Sequence, residues 1–205
     1  MTQKASKGKA PVAGAPKPKA PAVAKPAVAQ PAVATAGVAT AELWDPATGK
    51  WSSVGALSTV RYGVALLALP DGSALAAGGA DDNGPLAGAE RFDPVTMTWS
   101  SAGNMQSAAW GRMAVVLANG KVLVAGGGGA GAAIAAAEVY DPATGGWTPT
   151  IPLPHARTDG RAVLLPDGSV LIAGGDDGPS NNGATGGGDC RHALPDALRY
   201  LPAIP

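Results

Sequence analysis

Short apolar runs separated by glycine-rich polar turns recur along the chain. Val64 to Leu69 is apolar, Pro70-Asp71-Gly72 interrupts it, Ala74 to Ala77 is apolar again, and Gly78-Gly79 ends the pair. Runs this short, bounded by turn residues, predict strands rather than helices. Asp-Gly between two such runs is a hairpin signal, because glycine takes the positive φ that a tight turn needs. A polar loop, Asp81-Asp82-Asn83-Gly84-Pro85, leads on to Ala89-Glu90-Arg91-Phe92-Asp93-Pro94 and then Trp99. In Asp-Pro the carboxylate accepts a local N–H and proline presets φ, so a second turn follows there. The result is one unit of four short strands.

The unit repeats. Met113 to Leu117, Asn119-Gly120, Val122 to Ala125, Gly126-Gly127, Glu138 to Tyr140, Asp141-Pro142 and Trp147 follow in the same order. Trp51, Trp99 and Trp147 stand 48 residues apart, as do Gly78-Gly79, Gly126-Gly127 and Gly174-Gly175, and as do Glu42, Glu90 and Glu138. Three marker sets on one period define a repeat array, and a period near 50 is that of propeller blades. Full units span 60–101 and 108–149. A two-strand half lies before them, 41–54, and another after them, 157–174. Beyond residue 175 the pattern fails, with Gly188 where Tyr is expected and Pro195 where Trp is expected. The segment 176–205 therefore reads as degenerate or irregular.

Composition changes the picture at the N-terminal end. Residues 1–40 are mostly Ala, Pro, Val and Lys, with no Leu, Ile or Phe. Proline removes backbone donors and alanine buries little, so this stretch predicts a disordered, semi-extended tail ahead of blades over 41–175. The chain carries 15 basic and 15 acidic side chains, but the tail holds six lysines and no acid, which leaves an acidic body. Lacking Arg and stacking aromatics, the tail reads as a spacer, and no nucleic-acid partner is expected. No run is long and apolar enough for a membrane span or a secretory signal, so cytoplasm is the default expectation. Cys190 is the sole cysteine, which excludes an intrachain disulfide.

The paired glycines, the aromatic about a dozen residues on and the Trp beyond it (Gly78-Gly79/Phe92/Trp99 and Gly126-Gly127/Tyr140/Trp147) resemble the kelch repeat. With the Asp-Gly turns and Glu-x-aromatic-Asp-Pro segments, the chain is similar to the bacterial kelch and galactose-oxidase-like variety. That resemblance implies an all-β kelch-type propeller fragment of four-stranded blades, with the strand before Asp-Gly nearest the channel. It also implies a non-catalytic role in most relatives, binding protein or carbohydrate through blade loops. Two alternatives stand beside it: a remnant of a galactose-oxidase-like copper oxidase, and a truncated propeller without independent function. Propellers close with about 4–8 blades. An open arc invites self-association, in which the half-blades of two chains complete a six-bladed ring.

Candidate chemistry is sparse. No cofactor is expected. Arg61 and Arg157 are in register and precede the channel-side strand; with Arg112 they form a candidate partner-binding rim, to which Tyr62 and Trp110 would add stacking area. The equivalent loops holding Asp81, Asp82, Asp176 and Asp177 are weak calcium candidates. Glu42, Glu90 and Glu138 are expected to pair with nearby arginines. Copper chemistry of the galactose-oxidase kind needs two Tyr, two His and a cross-linked Cys. Tyr62, Tyr140, His155, His192 and Cys190 are present, but in no defensible metal-ligand spacing.

Overall fold

A computed structural model describes residues 38–177 and 197–200. The chain divides into two units, 1–34 and 35–205, and all described residues belong to the second. Residues 1–37 of the expected tail, most of the expected irregular segment, Cys190 and His192 lie outside the described residues; the tail's last three positions are placed, with Val38 bridging Arg61 and Ala39 O accepting from the Leu57 N–H at 2.8 Å.

The described elements are all strands. In chain order they are β1 (Ala41–Asp45), β2 (Lys50–Val54), β3 (Ala65–Ala68), β4 (Ala74–Ala77), the short β5 (Ala80–Asp81) and β6 (Gly84–Pro85), β7 (Gly88–Asp93), β8 (Thr98–Asn104), β9 (Met113–Val116), β10 (Val122–Ala125), β11 (Ala137–Asp141), β12 (Gly146–Thr150), β13 (Arg161–Leu164), β14 (Val170–Ala173) and β15 (Ala197–Tyr200). They pair antiparallel into the sheets β1-β2, β3-β4-β7-β8, β9-β10-β11-β12 and β13-β14-β15, with β5-β6 as a small hairpin. The innermost strands β3, β9 and β13 neighbour one another from sheet to sheet, so successive sheets stand side by side as blades. The two full blades and the leading half-blade fall where the 48-residue period put them.

Each turn forms for a local reason. In Pro70-Asp71-Gly72-Ser73, Gly72 takes φ +87° and its N–H donates to Leu69 O at 3.0 Å. The Asp71 carboxylate accepts from the Ser73 N–H at 3.0 Å and the Ser73 hydroxyl at 2.6 Å. The glycine doublets also need their positive φ. A Cβ on Gly126, at φ +67°, would lie 2.4 Å from Arg157 O, and one on Gly127 would lie 2.8 Å from Trp110 O.

Blades are alternately presented faces, and the core lies between them. Leu69, Leu75, Ala77 and Ala89 of the first blade meet Val122, Val124 and Tyr140 of the second. Met113, Leu123, Ala125 and Ala137 on the second blade's other face meet Val170 and Ile172 of the third. Small Ala positions let the sheets approach, and each fully buried Leu or Val contributes about 2 kcal/mol. Phe92 and Trp99 pack at 5.2 Å between ring centroids, and Tyr140 and Trp147 at 5.0 Å. Trp147 also donates its indole N–H to Ala102 O of the preceding blade at 2.9 Å. Trp44 and Trp51 hold the same cross-strand register in β1-β2, but with no inner strands beside them there Trp51 is 67 % exposed.

The trailing sheet differs from expectation. It has a third strand, β15, drawn from the segment read as irregular. Tyr200 pairs with Val170 as Tyr140 pairs with Val122 and Phe92 with Ala74. Tyr200 follows Tyr140 by 60 residues instead of 48, so twelve extra residues before β15 moved the motif out of phase. Arg199 then repeats a clasp seen in the first blade: its Nε donates to Ser169 Oγ at 2.9 Å and it ion-pairs with Asp167, as Arg91 does with Ser73 and Asp71.

Candidate functional site

The loops that enter β3, β9 and β13 meet those that leave β4, β10 and β14 at one end of the blades. Tyr62, Trp110 and Thr158 occupy one register there. Each makes an isolated bridge to the strand exit of its own blade, to Ala80, Gly128 and Asp176 respectively. The next position is left-handed in all three: Gly63 at φ +60°, Gly111 at +59° and Asp159 at +59°. That turn directs the backbone toward the neighbouring blade. Gly111 N donates to Gly63 O at 2.8 Å and Asp159 N donates to Gly111 O at 2.9 Å. Gly79 N to Ala109 O at 3.0 Å and Gly127 N to Arg157 O at 2.8 Å form a second set of cross-blade bonds. The mouth of the array is thus a frame of main-chain hydrogen bonds.

Side chains decorate that frame. The Trp110 ring lies against Gly128, where a Cβ would come within 2.4 Å of the indole, and its β-carbon also borders Gly63. Its indole N–H is buried and makes no hydrogen bond among the described residues. The Asp159 carboxylate stands next to Gly111 and accepts from the Thr158 hydroxyl at 3.1 Å. Tyr62 is half-buried, while Asp82, Asp159 and Asp177 are exposed. The mouth therefore combines two aromatic faces with carboxylates on a rigid support.

The arginines are not part of it. Arg61 and Arg112 are 6 % exposed and Arg157 is 0 % exposed, so the expected rim is a set of interior groups. Their side chains turn inward to main-chain carbonyls, that of Arg112 to Ser107 O in the linker. Arg61 donates to Gly78 O at 2.8 Å, Gly88 O at 2.9 Å and Glu90 at 2.6 Å. Glu90 also accepts from the Ser58 N–H at 2.7 Å, which pins the inter-blade linker onto the sheet. In the second blade Glu138 accepts from the Gln106 and Ser107 N–H groups at 2.7 and 3.1 Å, and Arg112 stands 4.0 Å away. Burial pushes the Arg112 guanidinium down to about 10, partly opposed by Glu138, so it stays charged at neutral pH. Arg157 donates to Gly174 O at 2.9 Å; Leu198 holds the register position of Glu90 and Glu138 in that blade. Glu42 is exposed on β1.

Asp81 is occupied locally. It accepts from the N–H groups of Asn83 at 2.8 Å and Gly84 at 3.1 Å, closing the β5-β6 hairpin. Asp176 bridges Thr158 through its backbone. Among the described residues no three His, Cys, Asp or Glu side chains gather as metal ligands would. Of the copper candidates, Tyr140 is buried between blades, where burial raises its pKa above the ordinary range, and His155 is exposed.

A cleft of about 470 Å³ opens at the opposite end, between the first two blades, over Asp71, Asn119, Lys121 and Asp141. Its charges are already matched. Lys121 pairs with Asp141 at 3.3 Å, and Arg91 pairs with Asp71 while reaching Pro142 O at 3.5 Å across the seam. Sequence reasoning missed both the clasp and Asp159. The repeated Asp-Gly-Ser turn was a usable signal for the first. A non-glycine residue at the phase of Gly63 and Gly111 was the signal for the second.

Blades of four antiparallel strands, set face to face with their inner strands adjacent, define a propeller-like all-β protein. No family model matches the chain, and no curated relative does. A solved structure described as "Structure of YjhT" is similar in fold, with a TM-score of 0.58 and 20% sequence identity over 67% of this chain and 51% of that one. The chain thus spans about half the length of that neighbour.

Proposed function

We propose that the chain is a non-catalytic kelch-repeat module that binds a protein or carbohydrate ligand at the mouth formed by Tyr62, Trp110 and Asp159. The observation that carries this reading is the Trp110 indole packed against Gly128, with the Asp159 carboxylate next to the adjoining Gly111. Aromatic faces supply contact area at little entropic cost. A carboxylate fixed next to them accepts hydroxyl or ammonium donors and orients what the rings hold. The backbone rungs keep this geometry without help from a ligand, so little ordering free energy is spent on binding.

The test is a glycan array run beside a panel of lysine- and arginine-rich peptides. Any ligand captured should lose at least tenfold in affinity with Trp110→Ala, and should be weakened by Tyr62→Ala and Asp159→Asn. Equal binding by all three variants refutes the mouth as the site.

A further inference from the structure

We propose that two copies of this chain complete each other, the β1-β2 hairpin of one seating on β14 of the other in the place held by β15. The argument starts from faces that are covered elsewhere in the same molecule. Leu75 and Ala77 of the first blade, and Leu123 and Ala125 of the second, are fully buried under the next blade. The register-equivalent positions of the third blade, Leu171 and Ala173, are half-buried and exposed, and Val163 beside them is 46 % exposed. On the first blade the opposite face shows Leu66 at 63 % exposure, where Ala114 and Ala162 of the later blades are packed. One end of the arc thus offers the surface that the other end lacks, and the interface between them already exists twice within the chain.

The hairpin specifies the partner as a second copy. β1 carries Ala41-Glu42-Leu43-Trp44-Asp45 at the phase of Ala89 to Asp93 and Ala137 to Asp141, the third strand of a blade. Among the described residues β1 pairs with β2 alone. On a partner's β14 it would place Glu42 opposite Ile172, at the register that brings Glu90 to Arg61 in the first blade, and so toward the partner's arginine at position 157. β15 occupies that edge in the single chain, with Leu198 at the glutamate position and the Arg199 clasp holding it. It acts as a removable cover. The linker after β2 then lays the composite blade on its own first blade, which buries Leu66. Made twice about a two-fold axis, the contact closes a ring of six blades and removes the exposed ends.

Native mass measurement on the full chain tests this. The expected result is twice the chain mass at micromolar concentration, reduced to a single copy by Glu42→Lys and by Val163→Asp with unchanged circular dichroism. Arg199→Ala loosens the cover and should shift the equilibrium toward the dimer. In a Cys190→Ser background, Leu43→Cys with Leu171→Cys should cross-link two copies under oxidation. A monomer for both the natural chain and Arg199→Ala overturns the proposal. Masses beyond two copies overturn the closed ring, and a dimer indifferent to Glu42→Lys and Val163→Asp overturns the strand exchange.

Discussion

Glu90→Leu tests whether the buried Arg61–Glu90 pair holds a blade to its linker. The substitution places in the first blade the residue type that Leu198 contributes at the same register of the third. It removes the 2.6 Å ion pair to Arg61 and the 2.7 Å acceptance of the Ser58 N–H. Arg61 keeps its bonds to Gly78 O and Gly88 O but loses its counter-charge at 3 % side-chain exposure. Breaking such a pair from one side costs about 3–5 kcal/mol, and the stranded Ser58 donor adds about 1 kcal/mol. Burial of the leucine returns about 2 kcal/mol, for a net loss of roughly 2–4 kcal/mol. With a urea dependence of about 2 kcal/mol per molar, the unfolding midpoint should fall by about 1–2 M. Arg61→Met added to Glu90→Leu should recover much of that loss, because it removes the stranded charge. A midpoint within about 0.3 M of the natural chain for Glu90→Leu alone, on this slope, would refute the reasoning.

Met97 sits at φ +56° where Gly49 and Gly145 hold the equivalent turns at +66° and +69°. Met97→Gly should stabilise the chain by about 1 kcal/mol, read as a higher thermal midpoint. Gly126→Ala and Gly174→Ala share φ +67°, but only the first drives a Cβ to 2.4 Å from Arg157 O. Gly174→Ala should cost about 1–2 kcal/mol, while Gly126→Ala should yield little folded protein, measured by soluble expression and circular dichroism. The carboxyls of Asp71 and Asp141 are held below their ordinary value of 3.8, Asp71 first by the Ser73 hydroxyl and Asp141 first by the Ala143 N–H. A depressed folded pKa gives stability that is present above the unfolded value and lost as pH falls through the folded one. The urea midpoint should therefore fall below about pH 4 through these groups, and less steeply in Asp71→Asn.

The blades were legible because their determinants are local. Asp71-Gly72 and Asn119-Gly120 set hairpins, and Asp93-Pro94 and Asp141-Pro142 set the outer turns. What surrounds them was not legible, because it depends on direction in space. Arg61 and Arg157 stand at the strand entry, next to the mouth in sequence, yet their side chains reach inward to the carbonyls of residues 78, 88 and 174. Phase counting finds positions and says nothing about where a long side chain points. Phase counting also hid β15, since a twelve-residue insertion displaces the motif without altering its pairing. The mouth is half visible in the sequence: Tyr62 and Trp110 declare contact surface by residue type, whereas the importance of Asp159 lies in its left-handed backbone conformation.

The rungs that join Gly63, Gly111 and Asp159 use only peptide groups. A scaffold fastened in this way tolerates Tyr, Trp and Thr at positions 62, 110 and 158 without loosening. Chemistry at the opening can therefore be rewritten one residue at a time, while the support beneath stays as it is.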